Sequence, residues 1–167
     1  MEIIQVKTRQ ILPPQDDLSQ VILDSVRIVR EGDIILISSK VVAIGEGNCL
    51  PIGSIEKDQL IEQEAEYFIP RDEHPNGVVI TTVIKNTLIA SAGIDESNGN
   101  GYYILWPKDP MDSAKKIYDL IRTNYQVKNI AVIITDSHCL PMRSGVMGIG
   151  IGYYGLEPCY SYKNKED

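Results

Sequence analysis

The chain has 167 residues, 43% of them hydrophobic, enough to bury a sizeable core as one domain, with at most a small annex. Its 23 acidic against 16 basic side chains leave a net charge of −7. That excludes the broad basic footprint of a nucleic-acid-binding protein, so an anionic nucleotide would have to be received locally, through metal, backbone amides or single basic residues. No stretch approaches the roughly 20 apolar residues of a bilayer span, and Met1-Glu2-Ile3-Ile4-Gln5 is no secretory leader. The expectation is a soluble, cytoplasmic protein without a membrane partner.

In chain order, residues 2–12 alternate loosely and predict a first strand, broken by Pro13-Pro14. Asp16-Asp17 then opens a helix over 17–30, with Leu18, Val21, Ile22, Val26 and Val29 on one stripe. Gly32-Asp33 turns the chain into a buried strand at 34–37, with Ser38-Ser39 at its exit. Residues 45–53 read as loop, and Ser54 is expected to cap a second helix over 55–68, with Ile61, Ala65 and Phe68 on one side, ended by Pro70. His74 falls in a polar turn and is expected to be solvated. Residues 78–84 and 87–90 form a hairpin closed by Lys85-Asn86, which holds the following loop at its end. A short strand is expected at 102–106. Asp109-Pro110, with Asp112 or Ser113 as cap, begins a third helix with Ala114, Ile117, Leu120 and Ile121 on its core face and Lys115, Lys116 and Arg122 outside. The last predicted strand is 130–134.

Two stretches carry chemistry. Ala92-Gly93-Ile94-Asp95-Glu96-Ser97-Asn98 is a glycine-and-acid loop, and Ile130 to Ile134 runs into Thr135-Asp136-Ser137, an acid with two hydroxyls at a strand's carboxyl end. Asp95 and Asp136 are hard oxygen donors of the kind Mg²⁺ or Mn²⁺ accepts, with other positions left to water and substrate phosphate. For each acid taken alone, a turn or capping role is the competing reading. Gly150-x-Gly152-x-x-Gly155 formally matches a dinucleotide fingerprint, but Leu156-Glu157-Pro158 cannot open the helix this requires, and the glycines instead allow close packing or a tight nucleotide approach. Cys49, Cys139 and Cys159 are odd in number and contain no C-x-x-C, which indicates neither a disulfide framework nor a zinc site; Cys139 beside His138 is not expected to act as a nucleophile pair. Tyr153, Tyr154, Tyr160 and Tyr162 suit core or interface packing, or stacking on a ring system.

These stretches resemble the coenzyme F420-0:gamma-glutamyl ligase family. The matching residues are Ala92 to Asn98, Asp109-Pro110 with Ser113-Ala114, Ile133 to Ser137, Arg143-Ser144-Gly145, and Gly150-Ile151-Gly152 before Gly155. Gly32 to Ile35, Ser38 to Val42 and Glu46-Gly47 fit the family's first strand and serine turn. The resemblance implies GTP- and metal-dependent amide bond formation between L-glutamate and a phospholactyl-deazaflavin precursor. It also implies roles: Asp95 and Asp136 holding Mg²⁺ or Mn²⁺, Ser137 giving a hydroxyl to a second metal, Asn98 bonding the nucleotide. Ser38 and Ser39 would meet the nucleotide or merely end the strand. Arg143 would face a phosphate or carboxylate, or serve a structural salt bridge. Catalytic residues stay unassigned. The chain departs from the family pattern at Ile44, where the family has lysine, and at Cys139-Leu140, where it has Gly-Arg.

The expected architecture is α+β: one gamma-glutamyl ligase-like domain over residues 1–167, mainly β with about three packed helices. The family continues past the position matching Asp167, and the resemblance implies a homodimer or a complementary chain. The competing function is a non-catalytic metal- or nucleotide-binding or scaffold protein that retains the fold.

Overall fold

Asp109 accepts hydrogen bonds from the Met111 and Asp112 amides, 3.0 Å each, and Pro110 occupies the first helical turn, so the longest helix begins where its sequence allows. The structure, a computed structural model, describes residues 2–74, 77, 79–140, 142–161 and 163. Its elements run α1 (Leu18–Ser25), β1 (Ile34–Ser38), α2 (Ser39–Gly45), β2 (Cys49–Pro51), α3 (Lys57–Glu64) and β3 (Tyr67–Ile69). They continue as β4 (Thr81–Ile84), β5 (Thr87–Ala90), β6 (Tyr102–Ile104), α4 (Pro110–Tyr125), β7 (Ala131–His138) and β8 (Met147–Tyr154). The fold is mixed α+β.

The described residues form three small sheets, β1-β7-β8, β2-β6 and β3-β4-β5. β7 is central to the first, parallel to β1 and antiparallel to β8. α4 covers one face of this sheet, burying Ala114, Ile117 and Ile121 against Val132 and Ile134. Each large aliphatic side chain buried there contributes about 1.5–3 kcal/mol. Gly152 permits the close approach: a Cβ on it would lie 2.3 Å from the Pro110 carbonyl oxygen. A second core packs Leu60 and Ile61 of α3 with Ile80, Ile94, Tyr103 and Leu105. The expected hairpin is present as β4 and β5, with Lys85 and Asn86 both at positive φ, 48° and 60°, as a tight two-residue turn requires; Val78 lies outside the described residues.

Several expectations change. No strand forms over 2–12. Ile3 and Ile4 are exposed and have no ladder partner, and alternation without a neighbouring strand does not make one. α1 ends at Ser25 rather than 30: Val26 is extended, and its carbonyl accepts the Tyr125 hydroxyl at 2.5 Å. Glu56, not Ser54, occupies the N-cap position of α3, without a side-chain capping hydrogen bond, and the Ser54 hydroxyl donates to the Pro51 carbonyl. The chain leaves α3 at Ala65, and Tyr67–Ile69 pairs with β4, because an aromatic and β-branched triplet gains more from a ladder than from another helical turn. Leu50 lies in a strand rather than a loop. α2 is a fourth helix, and β8 a strand beyond β7. His74 is half-buried and accepts the Thr81 amide through Nε2 at 3.1 Å, so it is not simply solvated.

The N-terminal segment is held by chemistry other than a ladder. Arg9 donates both guanidinium ends to Asp16 at 2.6 Å, and Asp16 also accepts the Leu12 and Asp17 amides. The Arg9 hydrogen bonds, then the Leu12 amide, hold the Asp16 carboxyl well below its usual range. Because the folded value is depressed, this clamp is fully present above the ordinary carboxylate range and weakens as pH falls from there toward the lowered value. Asp16→Asn is expected to speed tryptic cleavage after Lys7 at neutral pH with little change in melting temperature. Unchanged cleavage would mean that the clamp does not hold the segment.

Candidate functional site

The acids expected to act together meet in one cleft. Asp95 is fixed by two backbone hydrogen bonds to Ile104 of β6, its N–H donating at 2.9 Å and its carbonyl accepting at 2.8 Å. Its carboxylate accepts both the amide and the hydroxyl of Ser97 at 2.9 Å, so one oxygen is spent on shaping the loop. Asp136 comes from β7, one residue past the pairing of Thr135 with Ser38. It accepts the Trp106 indole N–H and, on its other oxygen, the Ser137 amide at 2.8 Å. Ser38, Ser39, Lys40, Asp95, Asp136 and Ser137 line a cleft of about 380 Å³.

Lys40 stands at the centre. It lies in the first turn of α2, and its ammonium contacts the Asp95 carboxylate and donates to the Asn98 side-chain oxygen. Burial draws its pKa below the ordinary lysine value, and the Asp136 carboxylate opposes that shift. Sequence reading placed this lysine inside the serine turn but assigned only the serines. Its position directly after Ser38-Ser39 was the available signal. Trp106, the only tryptophan of the chain, was missed as well; it ends the run begun by β6, is buried, and receives the Asn48 amide on its carbonyl at 2.6 Å. Gly93 lies against its indole at φ 70°.

Other expected residues divide. Ser38 and Ser137 are exposed in the cleft, whereas Ser39 is buried. Asn98 reaches the site through Lys40. Arg143 does not line the cleft; it is exposed in the connection between β7 and β8, near the Met147 sulfur at 3.6 Å, and has no ion pair among the described residues. Ile44, at the expected lysine position, is core, packed with Ala43 and Ile104. Glu46 is structural: it accepts the Ser113 hydroxyl and the Lys108 amide, tying α2 to the start of α4. Leu140 is exposed beside the cleft residue Cys139. All three cysteines are free; Cys139 is exposed while His138 is buried, so adjacent side chains point apart. Tyr154 packs edge-on against Tyr118, Tyr160 is exposed, and Tyr162 lies outside the described residues.

Among the described residues no three His, Cys, Asp or Glu side chains cluster as metal ligands. The donor set lining the cleft is two carboxylates with neutral hydroxyl and amide oxygens, and the Lys40 ammonium contacts one of those carboxylates, Asp95. This fits a hard cation such as Mg²⁺ or Mn²⁺, which needs only one or two carboxylates, and does not fit zinc.

The chain is an α+β domain in which residues from all three sheets line a cleft that holds two acids and a lysine. The chain belongs to the F420-0:Gamma-glutamyl ligase family, whose model matches residues 5–167. It is similar to coenzyme F420:L-glutamate ligase of Methanopyrus kandleri, 34% identical over 86% of this chain and 62% of that protein. It also resembles the proteins of the same name from Methanothermobacter thermautotrophicus, 29% identical over 100% of this chain and 73% of the relative, and Methanosarcina acetivorans, 27% identical over 99% and 70%. The chain thus spans well short of the full length of these relatives. No helix among the described residues is long and apolar enough to cross a membrane.

Proposed function

We propose that this chain is a ligase-like protein that joins L-glutamate to the acid group of an F420 precursor, using GTP and Mg²⁺ or Mn²⁺ at the Asp95–Asp136 cleft. The observation that carries the reading is the convergence of Asp95, Asp136 and Lys40 in one cleft, within a chain of the gamma-glutamyl ligase family. A carboxylate forms no amide until one oxygen becomes a good leaving group. The γ-phosphoryl group of GTP passes to that oxygen, giving an acyl phosphate and GDP. The glutamate nitrogen then attacks the carbonyl carbon, phosphate departs with the bridging oxygen, and the nitrogen loses a proton to solvent. A bound divalent cation would supply charge neutralisation for the phosphates. The chain's own residues would do the rest: Asp95 and Asp136 hold the cation, Ser137 adds a hydroxyl, Ser38, Ser39 and Asn98 offer hydrogen bonds to the nucleotide, and Lys40 gives the cleft a fixed cation. Arg143 belongs to this reading only as a residue of the neighbouring connection. Self-association or a complementary chain is part of it too, since Ile34 and Leu36 are exposed on β1, which pairs with β7 on one side.

The test is calorimetric titration of GTP with Mn²⁺, followed by an assay of glutamate transfer with release of inorganic phosphate. Metal-dependent nucleotide binding that disappears in the Asp95→Asn, Asp136→Asn double variant is the expected result. A folded native chain that binds neither metal nor nucleotide would overturn the enzyme reading for this chain.

A further inference from the structure

Lys40 brings a basic side chain into the lining of the cleft beside its acids. Its ammonium contacts Asp95 and Asn98 together, side chains of a loop distant in sequence, and it feels the Asp136 carboxylate of β7. The other lysine near this loop, Lys57, pairs with the single carboxylate of Glu96 at 2.8 Å. Lys40 therefore contacts the oxygens of one element and lies within the electrostatic reach of an acid on another, where a cation neutralises acids lining one cleft. Its side chain is anchored in the first turn of α2 directly after the cleft residues Ser38 and Ser39. A lysine stem is flexible and its ammonium is a point charge with rotatable donors, so it can change partners without moving the backbone.

We infer that Lys40 is a place-holding cation: its ammonium neutralises Asp95 until a divalent metal binds, and is then displaced from Asp95 and turns to the anionic phosphate that enters with the metal. This rests on the metal–nucleotide reading of the cleft and deepens it, turning the fixed cation which that reading assigns to Lys40 into one that changes partners. The exchange is balanced in charge. The acids trade a monovalent for a divalent partner, and the released ammonium finds a new anion in the phosphate rather than remaining unpaired. A lysine acting this way has opposite effects on two ligands. It competes with the bare cation and assists the cation–phosphate complex.

The measurement uses Trp106, the only tryptophan, whose indole donates to Asp136 and so reports ligation of that carboxylate by fluorescence. Mg²⁺ is titrated alone and then with GDP, into the native chain and into Lys40→Gln, Lys40→Arg and Lys40→Met, with circular dichroism to verify folding. Both neutral variants are expected to move the Mg²⁺ midpoint about tenfold lower and to weaken GDP binding in the presence of Mg²⁺ about tenfold, while Lys40→Arg stays within about threefold of native for both. A native chain silent to Mg²⁺ whose neutral variants respond also supports displacement. If the native chain responds to Mg²⁺ through Asp136 but the neutral variants leave the midpoint unchanged or raise it, the place-holding role is overturned while the metal reading stands. If neither native nor variant chains respond, both fall. Loss of both ligands in the neutral variants would make Lys40 an ordinary structural lysine.

Discussion

Gly93→Ala is expected to disable the cleft and to destabilise the fold by about 2–4 kcal/mol. Two independent costs meet at this position. The backbone holds φ 70°, in the left-handed region that side chains with a Cβ adopt reluctantly, at about 1–2 kcal/mol. A Cβ would also stand 2.0 Å from the Trp106 indole nitrogen and 2.5 Å from its Cδ1. The indole is buried and cannot swing into solvent, and the atom that would have to yield is the one donating to Asp136. The substitution therefore acts on the cleft through the tryptophan. Thermal unfolding should show a fall of several degrees, and the Trp106 emission should change in the folded variant even without ligand. As a control, Gly148→Ala meets nothing within 4 Å of the added Cβ and should leave both readouts close to native. A Gly93→Ala variant with native stability and native emission would show that the indole is not braced by this loop.

The fold was legible where local chemistry and tertiary context agree. The α4 start declares itself through Asp109-Pro110 and its apolar stripe, and the β4–β5 hairpin through two β-rich runs separated by two residues. Where context overrides the pattern, reading failed. Residues 2–12 alternate as a strand would, yet the deciding factor is the absence of a partner, which no local window contains. α2 is short and rich in Val41, Val42 and Ile44, residues of low helix propensity, so its helix rests on burial against Ile104 and the α1 side rather than on its own preference. β8 was obscured by glycines, whose packing value appears only when α4 lies 2.3 Å from the Cβ that Gly152 lacks. The acid pair of the cleft was found from its sequence surroundings, because strand ends and glycine loops are where ligands tend to be presented. Lys40 and Trp106 escaped for one reason: each acts on an acid far away in sequence, 55 residues from Lys40 to Asp95 by their numbers and 30 from Trp106 to Asp136. Ile44 and Leu140 stand where the family pattern has cations. The cleft's cation, Lys40, lies within the Ser38 to Val42 stretch that fits the family's serine turn.

Asp136→Asn and Asp136→Ala separate the indole hydrogen bond of this carboxylate from the metal ligation proposed for it, and the second is expected to be the more damaging to the protein while both weaken metal binding. In the native cleft one oxygen accepts the Trp106 indole and the other the Ser137 amide. Asparagine keeps one carbonyl oxygen for the indole but cannot carry the charge that a divalent cation requires, so its metal affinity should fall by about a hundredfold or more with a melting temperature within a few degrees of native. Alanine removes the acceptor too, leaving a buried indole N–H without its partner, a cost of about 1–3 kcal/mol on top of the lost metal. Charge adds a further sign. With Asp136 neutral, the ammonium of Lys40 loses a carboxylate that holds it in the cleft, and its pKa is expected to fall further in both variants, since burial already pulls in that direction and the opposing charge is gone. Metal titration followed by calorimetric unfolding distinguishes the outcomes. Equal melting temperatures for the two variants would show that the indole hydrogen bond carries no stability, and retention of native metal affinity in Asp136→Asn would remove Asp136 from the metal set, leaving Asp95 as its only carboxylate.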